Sequence, residues 1–294
     1  MKNTEYFIDE DENGFGRCLV LTDLWRDEFA QVMISNKISN LRLSSSAGWS
    51  GKDISFISTL EFLTGIEIYS WNIKDISPIF ENKNLRFIGL QCEFTSPADF
   101  SKLEKLEVCK VFWRNKIDGL FSCRMLRHLN IVEYPFESLR ELSELNALQR
   151  LQLSSKKLST LSGMASLTSL KNLDLANCSN LVDVSELSKC IDLQTLEING
   201  CKKICAFPDS LCLPVLKEVV LVDCGKIVSL RPFSNCKKLT KLRATGDTVI
   251  TDGNFDFMLE YPVIEDIWYA SKSHYSISRE LLKKKLQEKQ LRTS

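Results

Sequence analysis

Cysteine and histidine are the residues of this 294-residue chain best suited to chemistry, and their spacing argues against an active site or a metal site. Eleven cysteines are present, but only two histidines, His128 and His274. Cys201 and Cys205 have a Cys-x-x-x-Cys spacing, yet no second pair of ligands follows, so the pattern does not predict zinc. The sequence also lacks a Gly-x-Ser-x-Gly elbow and a phosphate-binding glycine loop. We therefore predict that the protein is not an enzyme and has no catalytic residue, metal site or cofactor.

Charge and hydropathy exclude two classes of partner. Lysine and arginine total 38, as do aspartate and glutamate, so composition gives no reason to expect nucleic acid or an anionic membrane. No apolar run reaches the length of a membrane span. Residues 1–12 are acidic and lack the basic-then-apolar order of a secretory signal. We therefore predict a cytoplasmic protein with reduced thiols.

An apolar repeat dominates the sequence and decides the fold. Leu170, Leu173 and Leu175 form the pattern Leu-x-x-Leu-x-Leu, which occurs eleven times at steps of 20 to 25 residues. All thirty-three positions of the pattern are apolar, which chance does not explain. The middle residues of the pattern, called the anchors below, are Leu41, Ile66, Ile88, Cys109, Leu129, Leu151, Leu173, Leu196, Val219, Leu242 and Ile267.

The spacing inside each copy predicts a short strand. Because alternate side chains of a strand point to the same side, both leucines of Leu-x-Leu face one way and the residue between them faces the other. One copy cannot bury its apolar side alone. Stacking successive copies into a parallel ladder buries it, which predicts a solenoid.

The repeat resembles the leucine-rich-repeat family over residues 38–272. Its short step, with Asp-x-Ser at Asp53, Asp75 and Asp183, is similar to the bacterial internalin type, although no signal peptide or surface anchor is recognisable. The resemblance implies an α/β solenoid, a horseshoe of about eleven coils with a parallel concave sheet and a thin convex side of 3-10 turns. The Asp and Ser side chains suit the starts of those turns.

Solenoids need polar caps over their terminal cores, and both ends of the chain fit that need. Residues 1–37 are predicted to form an amino-terminal cap, with a strand at residues 17–21 and a helix over 23–36. Residues 38–272 form the repeats. Residues 273–294 form a carboxy-terminal helix and tail, with the helix capped by Ser278 and running towards Leu291. We expect one continuous structural domain.

The resemblance also explains most of the cysteines. Cys178, Cys201 and Cys224 occupy the slot where leucine-rich repeats carry Asn or Cys, which bonds the backbone of the turn that leaves the sheet. Buried thiols commonly act as small apolar side chains. Two cysteines, Cys92 and Cys205, remain as candidates for a redox-active thiol. The other cysteines that the repeat places inward are Cys109, Cys123, Cys190 and Cys236.

Aromatic and cationic residues of the early coils form the predicted binding surface. They fall at or near positions that the repeat frame turns outward on the concave face, and such a composition is typical of binding hot spots. Large solvent-facing aromatics also cost solubility, so a reason for them is expected. The predicted partner-binding residues are Tyr69, Phe87, Lys110, Phe112, Trp113, Arg114, His128 and Tyr134.

Structural explanations for the same aromatics stay open at this point. The frame around Cys109 could slide to Leu106 and Val108, which would turn Trp113 towards the core. A terminal cap could cover some of the aromatics. Trp71, in the Asn/Cys slot, could pack inward, and Trp268 could contact the carboxy-terminal helix instead of a partner.

These observations favour a non-catalytic, protein-binding module that recognises a macromolecular partner through its concave face. A specific version is a bacterial immunity or inhibitor protein that occludes a toxin, monomeric when unbound. One alternative is a scaffold or specificity subunit of a separate enzyme. Another is a host-directed effector, whose partners would be found only in host cells.

Overall fold

The computed structural model describes residues 5–10, 14–262 and 264–293, and it contains two compact units, Met1–Val132 and Glu133–Ser294. Parts of the predicted amino-terminal cap, residues 1–4 and 11–13, lie outside the described residues, as does Ser294. The division of the chain into caps and repeats at residues 37 and 272 stays a prediction.

Parallel strands recur through the first unit at the repeat positions. Strand β1 (Tyr6–Glu10) pairs antiparallel with β2 (Arg17–Leu21), and β2 then begins a series of parallel pairings. Helix α1 (Glu28–Ser35) separates β2 from the first predicted coil. The remaining strands are β3 (Asn40–Ser44), β4 (Gly65–Tyr69), β5 (Phe87–Gln91), β6 (Ala98–Asp99), β7 (Val108–Phe112), β8 (Ile117–Asp118) and β9 (His128–Val132). Strands β6 and β8 pair only with each other, in a separate two-stranded ladder.

The strand register of the first unit confirms the predicted repeat frame. Leu41 pairs with Ile66, and Ile66 pairs with Ile88, so successive anchors lie side by side. Cys109 continues the series between Ile88 and Leu129. The frame therefore does not slide at Cys109.

The second unit repeats the same construction. Its strands are β10 (Arg150–Ser154), β11 (Asn172–Ala176), β12 (Thr195–Asn199), β13 (Glu218–Val222), β14 (Lys226–Ile227), β15 (Lys241–Thr245), β16 (Val249–Ile250) and β17 (Asp266–Tyr269). Anchors again pair with anchors, from Leu151 beside Leu173 to Leu242 beside Ile267. Strands β14 and β16 form a small parallel ladder of their own.

Burial of the repeat residues explains why the strands form. All thirty-three positions of the pattern are buried, from Ile38 to Ile131 in the first unit and from Leu148 to Tyr269 in the second. Removing that apolar surface from water stabilises the stack. The sequence pattern therefore identified the cores of both units.

The side opposite the strands consists of short 3-10 helices, as predicted. In the described part of the chain these are Ser45–Ala47, Ser55–Thr59, Ser77–Glu81, Phe100–Lys102, Leu120–Ser122, Arg140–Leu142, Met164–Ser166, Ser185–Lys189, Arg231–Asn235 and Asp256–Glu260.

The predicted Asp-x-Ser turn starts are also present. Asp53, Asp75 and Asp183 each accept a hydrogen bond from the backbone N–H of the serine two residues later, at 2.8–2.9 Å. At Asp75, hydrogen bonds from the Ser77 hydroxyl and backbone N–H lower the carboxyl pKa.

The terminal elements agree with the predicted caps in part. The strand at residues 17–21 is present, but α1 begins at Glu28 rather than near Asp23. Residues before Glu28 form turns instead, in which the Asp23 carboxylate accepts from the Leu24 N–H.

The carboxy-terminal helix α2 spans Arg279–Thr293, and the Ser278 hydroxyl accepts from the Leu281 N–H at 3.3 Å, as its capping role requires. Leu282 and Leu286 are buried, whereas Leu281 is exposed. The side chain of Leu291 lies outside the described residues.

Three cysteines form a ladder in the second unit, in the predicted slot. Cys201 directs its thiol to the Asn199 carbonyl, at 3.5 Å, and to the Leu175 carbonyl of the preceding strand, at 3.6 Å. Cys178 and Cys224 make the equivalent pairs of contacts in their own coils. Each thiol therefore satisfies backbone carbonyls at the point where the chain leaves a strand.

Candidate binding surface on the strand face

The outward side chains of the parallel strands form a surface that we call the strand face. In the first unit the strands β3, β4, β5, β7 and β9 contribute three rows to it, because strand positions one, three and five alternate with the buried anchors. The rows are Asn40, Gly65, Phe87, Val108 and His128; then Arg42, Glu67, Gly89, Lys110 and Asn130; then Ser44, Tyr69, Gln91, Phe112 and Val132.

A buried ion pair lies at the start of this face. The Arg42 guanidinium donates to the Glu67 carboxylate at 2.6 Å and to the Asp9 carboxylate of β1 at 2.8 Å. Burial lowers the pKa of Arg42, but the hydrogen bond and the charge of Glu67 outweigh it and raise the pKa overall. The Glu67 side chain is only 4% exposed, so its charge is satisfied within the protein.

Tyr69 completes this network. Its hydroxyl donates to the other Glu67 oxygen at 2.5 Å, and burial, followed by the Glu67 charge, raises the pKa of Tyr69. Gly89 makes room for this contact, since a β-carbon there would lie 3.2 Å from both the Tyr69 hydroxyl and the Glu67 side chain. Tyr69 is therefore a half-buried member of the strand face, with its hydroxyl engaged by Glu67.

Aromatic side chains gather where β4 and β7 end. Phe112 is half-buried, and its ring packs edge-on against Trp71 with centroids 6.1 Å apart. Trp71 is 48% exposed, so it does not pack inward. Trp113 stacks on Phe121 with centroids 5.6 Å apart. The strand face of the first unit therefore carries an accessible aromatic cluster beside its third row.

Lys110 stands at the centre of the same surface. Its ammonium lies 5.9 Å from the centroid of the Phe87 ring, and no carboxylate of the described residues forms an ion pair with it. A small cavity of about 70 Å³ opens beside it, lined by Tyr69, Leu90, Gln91, Lys110, Val111, Phe112, Asn130 and Val132. A cation thus lies next to an apolar recess.

Two predicted contact residues are buried, which corrects their assignment to the surface. Phe87 does point outward, but Phe15 stacks on its ring at 5.6 Å and leaves it 1% exposed. Tyr134 lies in the second unit, is 1% exposed, and donates its hydroxyl to the Ser138 carbonyl at 2.8 Å. Neither ring is available to a partner in this conformation.

The remaining predicted residues lie on or beside the strand face of the first unit. His128 is the half-buried first residue of β9, and it pairs with Val108 in the register. Arg114 is half-buried just after β7 and donates to the Trp113 carbonyl at 2.8 Å. The structure thus brings together Tyr69, Lys110, Phe112, Trp113, Arg114 and His128 within one unit, and their binding role stays a prediction.

Three contributors to this surface were not predicted from the sequence. Gln91 and Val132 line the cavity, and Phe121 supports Trp113. The repeat frame places Gln91 and Val132 in the same row as Phe112, so the sequence could have predicted that they face outward. Phe121 lies in a 3-10 helix, whose side-chain directions the frame does not specify.

On the strand face of the second unit, two cations are paired with carboxylates. Lys241 contacts Glu218 at 3.0 Å, and Arg243 contacts Asp266. The Gln152 amide donates to Asp174 at 3.1 Å. On the last strand, the Arg279 guanidinium of α2 lies 4.0 Å from the centroid of the Trp268 ring, so Trp268 contacts the terminal helix.

Burial distinguishes the two candidates for a redox-active thiol, Cys92 and Cys205. Cys92 is buried, and burial raises the pKa of its thiol to about 12, which suppresses the reactive thiolate. Cys205 and Cys212 are exposed. The structure therefore argues against Cys92 as a redox-active residue and leaves Cys205 accessible.

Thiol labelling checks this assignment. Ellman's reagent is expected to modify Cys205 and Cys212 rapidly in the native protein, and the buried cysteines, including Cys92, only after denaturant is added. Peptide mass mapping of the labelled sites is the measurement. Fast native labelling at Cys92 would contradict the burial described above.

Two further findings concern only the described part of the chain. It contains no cluster of three or more His, Cys, Asp or Glu side chains arranged to hold a metal ion. None of its helices combines the length and the apolar character needed to cross a membrane.

Comparison with known proteins adds structural neighbours. No family model matches the sequence, and no curated protein matches it. An internalin from Listeria monocytogenes aligns over 83% of this chain and 71% of its own, with 13% identity and a TM-score of 0.55. A leucine-rich-repeat protein from Leptospira interrogans aligns over 86% of this chain and 66% of its own, with 14% identity and a TM-score of 0.56. Taken with the strand register, these likenesses show that the chain has the leucine-rich-repeat fold, of the short internalin type.

Proposed function

We propose that the chain is a non-catalytic protein-binding module, and that its partner binds the strand face of the first unit. The observation that carries this proposal is the accessible aromatic cluster around Phe112 and Trp71, beside a lysine without a carboxylate partner among the described residues. Large aromatic and cationic side chains dominate the binding energy of protein interfaces. An exposed aromatic cluster is otherwise costly for solubility.

The backbone beneath these residues supports the same function. Each strand is held on both sides by hydrogen bonds to its neighbours, and its anchors are buried. The backbone that carries Tyr69, Lys110 and Phe112 is thus ordered before a partner arrives. Preorganisation of this kind reduces the ordering cost that association must overcome.

Two cations on the strand face of the second unit are already paired, which makes them less available to a partner than Lys110. Lys241 and Arg243 already have carboxylate partners at hydrogen-bonding distance. A partner that displaced those carboxylates would have to replace interactions that the protein already makes. Among the described residues, the Lys110 ammonium has no such carboxylate partner to lose.

A more specific form of the proposal is an immunity or inhibitor protein, in which the partner is a toxin and the strand face covers a functional site on it. This form predicts inhibition at one-to-one stoichiometry. An enzyme that stays fully active while bound would instead indicate the alternative role of a specificity subunit.

Paired affinity capture from the native cell tests the general proposal. The bait is the full chain in three forms, which are wild type, Phe112→Ala and Val222→Ala. Val222 is the matched control, since it is a half-buried apolar residue at the same strand position in the second unit. We expect a protein that is recovered with wild type and Val222→Ala and is depleted at least about tenfold with Phe112→Ala, as for loss of a hot spot.

Two results would count against the proposal. One is a partner that Phe112→Ala retains as well as wild type does. The other is a partner lost only from the Val222 variant, which would place the contact in the second unit. Circular dichroism of each variant verifies that the fold is unchanged.

A further inference from the structure

The geometry points to a carboxylate-binding pocket at Lys110, and we propose that it takes an aspartate or glutamate side chain of the partner, flanked by an apolar residue. This inference rests on the proposed function and specifies which part of the partner reaches the strand face. The pocket is formed by Lys110, Gln91, Asn130, Tyr69, Phe112 and Val132.

The charge of Lys110 favours an anionic ligand. The strand positions of β3 to β9 in the first unit carry only three charged residues on the strand face, Arg42, Glu67 and Lys110. Arg42 and Glu67 satisfy each other, with Asp9 as the second acceptor for Arg42. Lys110 is therefore the charge that this face offers to a ligand, and a carboxylate is its natural complement.

The surroundings of the ammonium strengthen its attraction for an anion. Lys110 is half-buried, with the Phe87 ring 5.9 Å away and the apolar side chains of Phe112 and Val132 along the cavity. Apolar neighbours lower the local dielectric, so a carboxylate that arrives there is attracted more strongly than at a fully solvated lysine. The side-chain amide of Gln91, which also lines the cavity, adds a group able to donate a hydrogen bond.

The size of the cavity limits what can enter. A volume of about 70 Å³ suits a small group such as a carboxyl with its neighbouring methylene. The exposed Trp71 and the half-buried Phe112 lie beside the cavity and offer an apolar surface to the next residue of a peptide. The pocket thus fits an acidic residue adjacent to an aliphatic or aromatic one.

Packing of Phe15 buries the aromatic ring nearest the Lys110 ammonium. The Phe15 ring stacks on Phe87 from one side, and the Arg86 guanidinium lies 5.3 Å from the Phe15 centroid. Phe87 is thereby buried next to the Lys110 ammonium.

A phage-displayed library of random dodecapeptides, selected on the immobilised full chain, tests the inference. In such a library the peptide carboxy terminus is fused, so only side-chain carboxylates are available. We expect the selected peptides to be enriched in Asp or Glu next to an aromatic or aliphatic residue. Their affinity is expected to fall at least about tenfold in Lys110→Gln, to fall further in Lys110→Glu, and to weaken with added salt.

Lys105→Glu is the matched control. It introduces the same charge change in the same unit, at an exposed lysine that contacts Asn84 away from the strand face. Peptide binding is expected to be nearly unchanged in this variant. An equal loss in Lys105→Glu and Lys110→Glu would show a general charge effect and overturn the pocket.

The remaining outcomes separate the inference from the proposed function. Peptides that depend on Phe112 but lack acidic residues, or that tolerate Lys110→Glu, would overturn the pocket and leave the binding surface in place. Peptides that are insensitive to both Phe112→Ala and Lys110→Gln would overturn both. A selection that yields no peptide binder at all would also overturn the pocket as a site for a peptide carboxylate.

Discussion

Replacing Arg42 with methionine is expected to lower the free energy of unfolding of the first unit by about 3 kcal/mol, since it leaves a buried carboxylate without its cation. Glu67 is nearly inaccessible, and its two oxygens are held by Arg42 and Tyr69. Four of the five tryptophans, at positions 25, 49, 71 and 113, lie in this unit. Tryptophan fluorescence during urea denaturation therefore reports its unfolding.

A double variant provides the control for this prediction. Arg42→Met combined with Glu67→Leu removes both charges, so it is expected to be more stable than Arg42→Met alone. Both variants change the volume of the site little. An Arg42→Met variant as stable as wild type would contradict this role of the buried pair. So would a double variant with a lower free energy of unfolding than Arg42→Met alone.

Gly163→Ala is expected to destabilise the second unit by at least about 2 kcal/mol. Gly163 has a φ of +100°, and a β-carbon there would lie 2.5 Å from the Arg140 backbone nitrogen and 2.6 Å from the Leu139 carbonyl carbon. Backbone atoms of the preceding coil cannot move aside as the end of a side chain can. The strain of a positive φ adds to this clash. Hydrogen exchange of the backbone amides in β10 and β11 is the measurement.

Gly225 supplies the matched comparison for the glycine prediction. Its φ is +70°, but the nearest atom to an added β-carbon would be 3.5 Å away, an ordinary contact. Gly225→Ala is therefore expected to cost only the conformational strain, about 1 kcal/mol. Similar losses in the two variants would show that the close approach of neighbouring coils at Gly163 is unimportant.

The repeat frame was predictable because a single periodic requirement acts on many residues at once. Each coil must present its apolar side to its neighbours, so the Leu-x-x-Leu-x-Leu pattern specifies which residues are buried and which strands pair. Even Cys109, where Leu106 and Val108 offered another frame, keeps the predicted register. The Asp-x-Ser turn starts were predictable for a local reason, since each carboxylate bonds an N–H two residues away.

The accessibility of individual surface residues was less predictable. Phe87 occupies an outward position, as the frame requires, yet it is buried by Phe15, which lies outside the repeats. No periodic signal connects these two residues. Glu67 likewise points outward but is covered by Arg42 and Tyr69, which gather around it because Gly89 leaves space.

Tyr134 and β1 illustrate the same limit at other places in the chain. Tyr134 follows β9 where the chain turns. Its hydroxyl donates to the backbone carbonyl of Ser138, four residues later. Strand β1 has no place in the repeat, although the apolar residues Tyr6, Phe7 and Ile8 before an acidic stretch are a weak indication of a strand. Such features depend on single contacts, which a repeat pattern does not encode.

Site-specific photo-crosslinking tests the central claim, that the strand face of the first unit is the contact surface, most directly. A benzoylphenylalanine introduced at Phe112 is compared with one at Met125, an exposed residue in the turn before β9. Irradiation in the native cell is expected to give one discrete, protein-sized adduct from position 112 and none from position 125. An adduct at position 125 with position 112 silent would contradict the account.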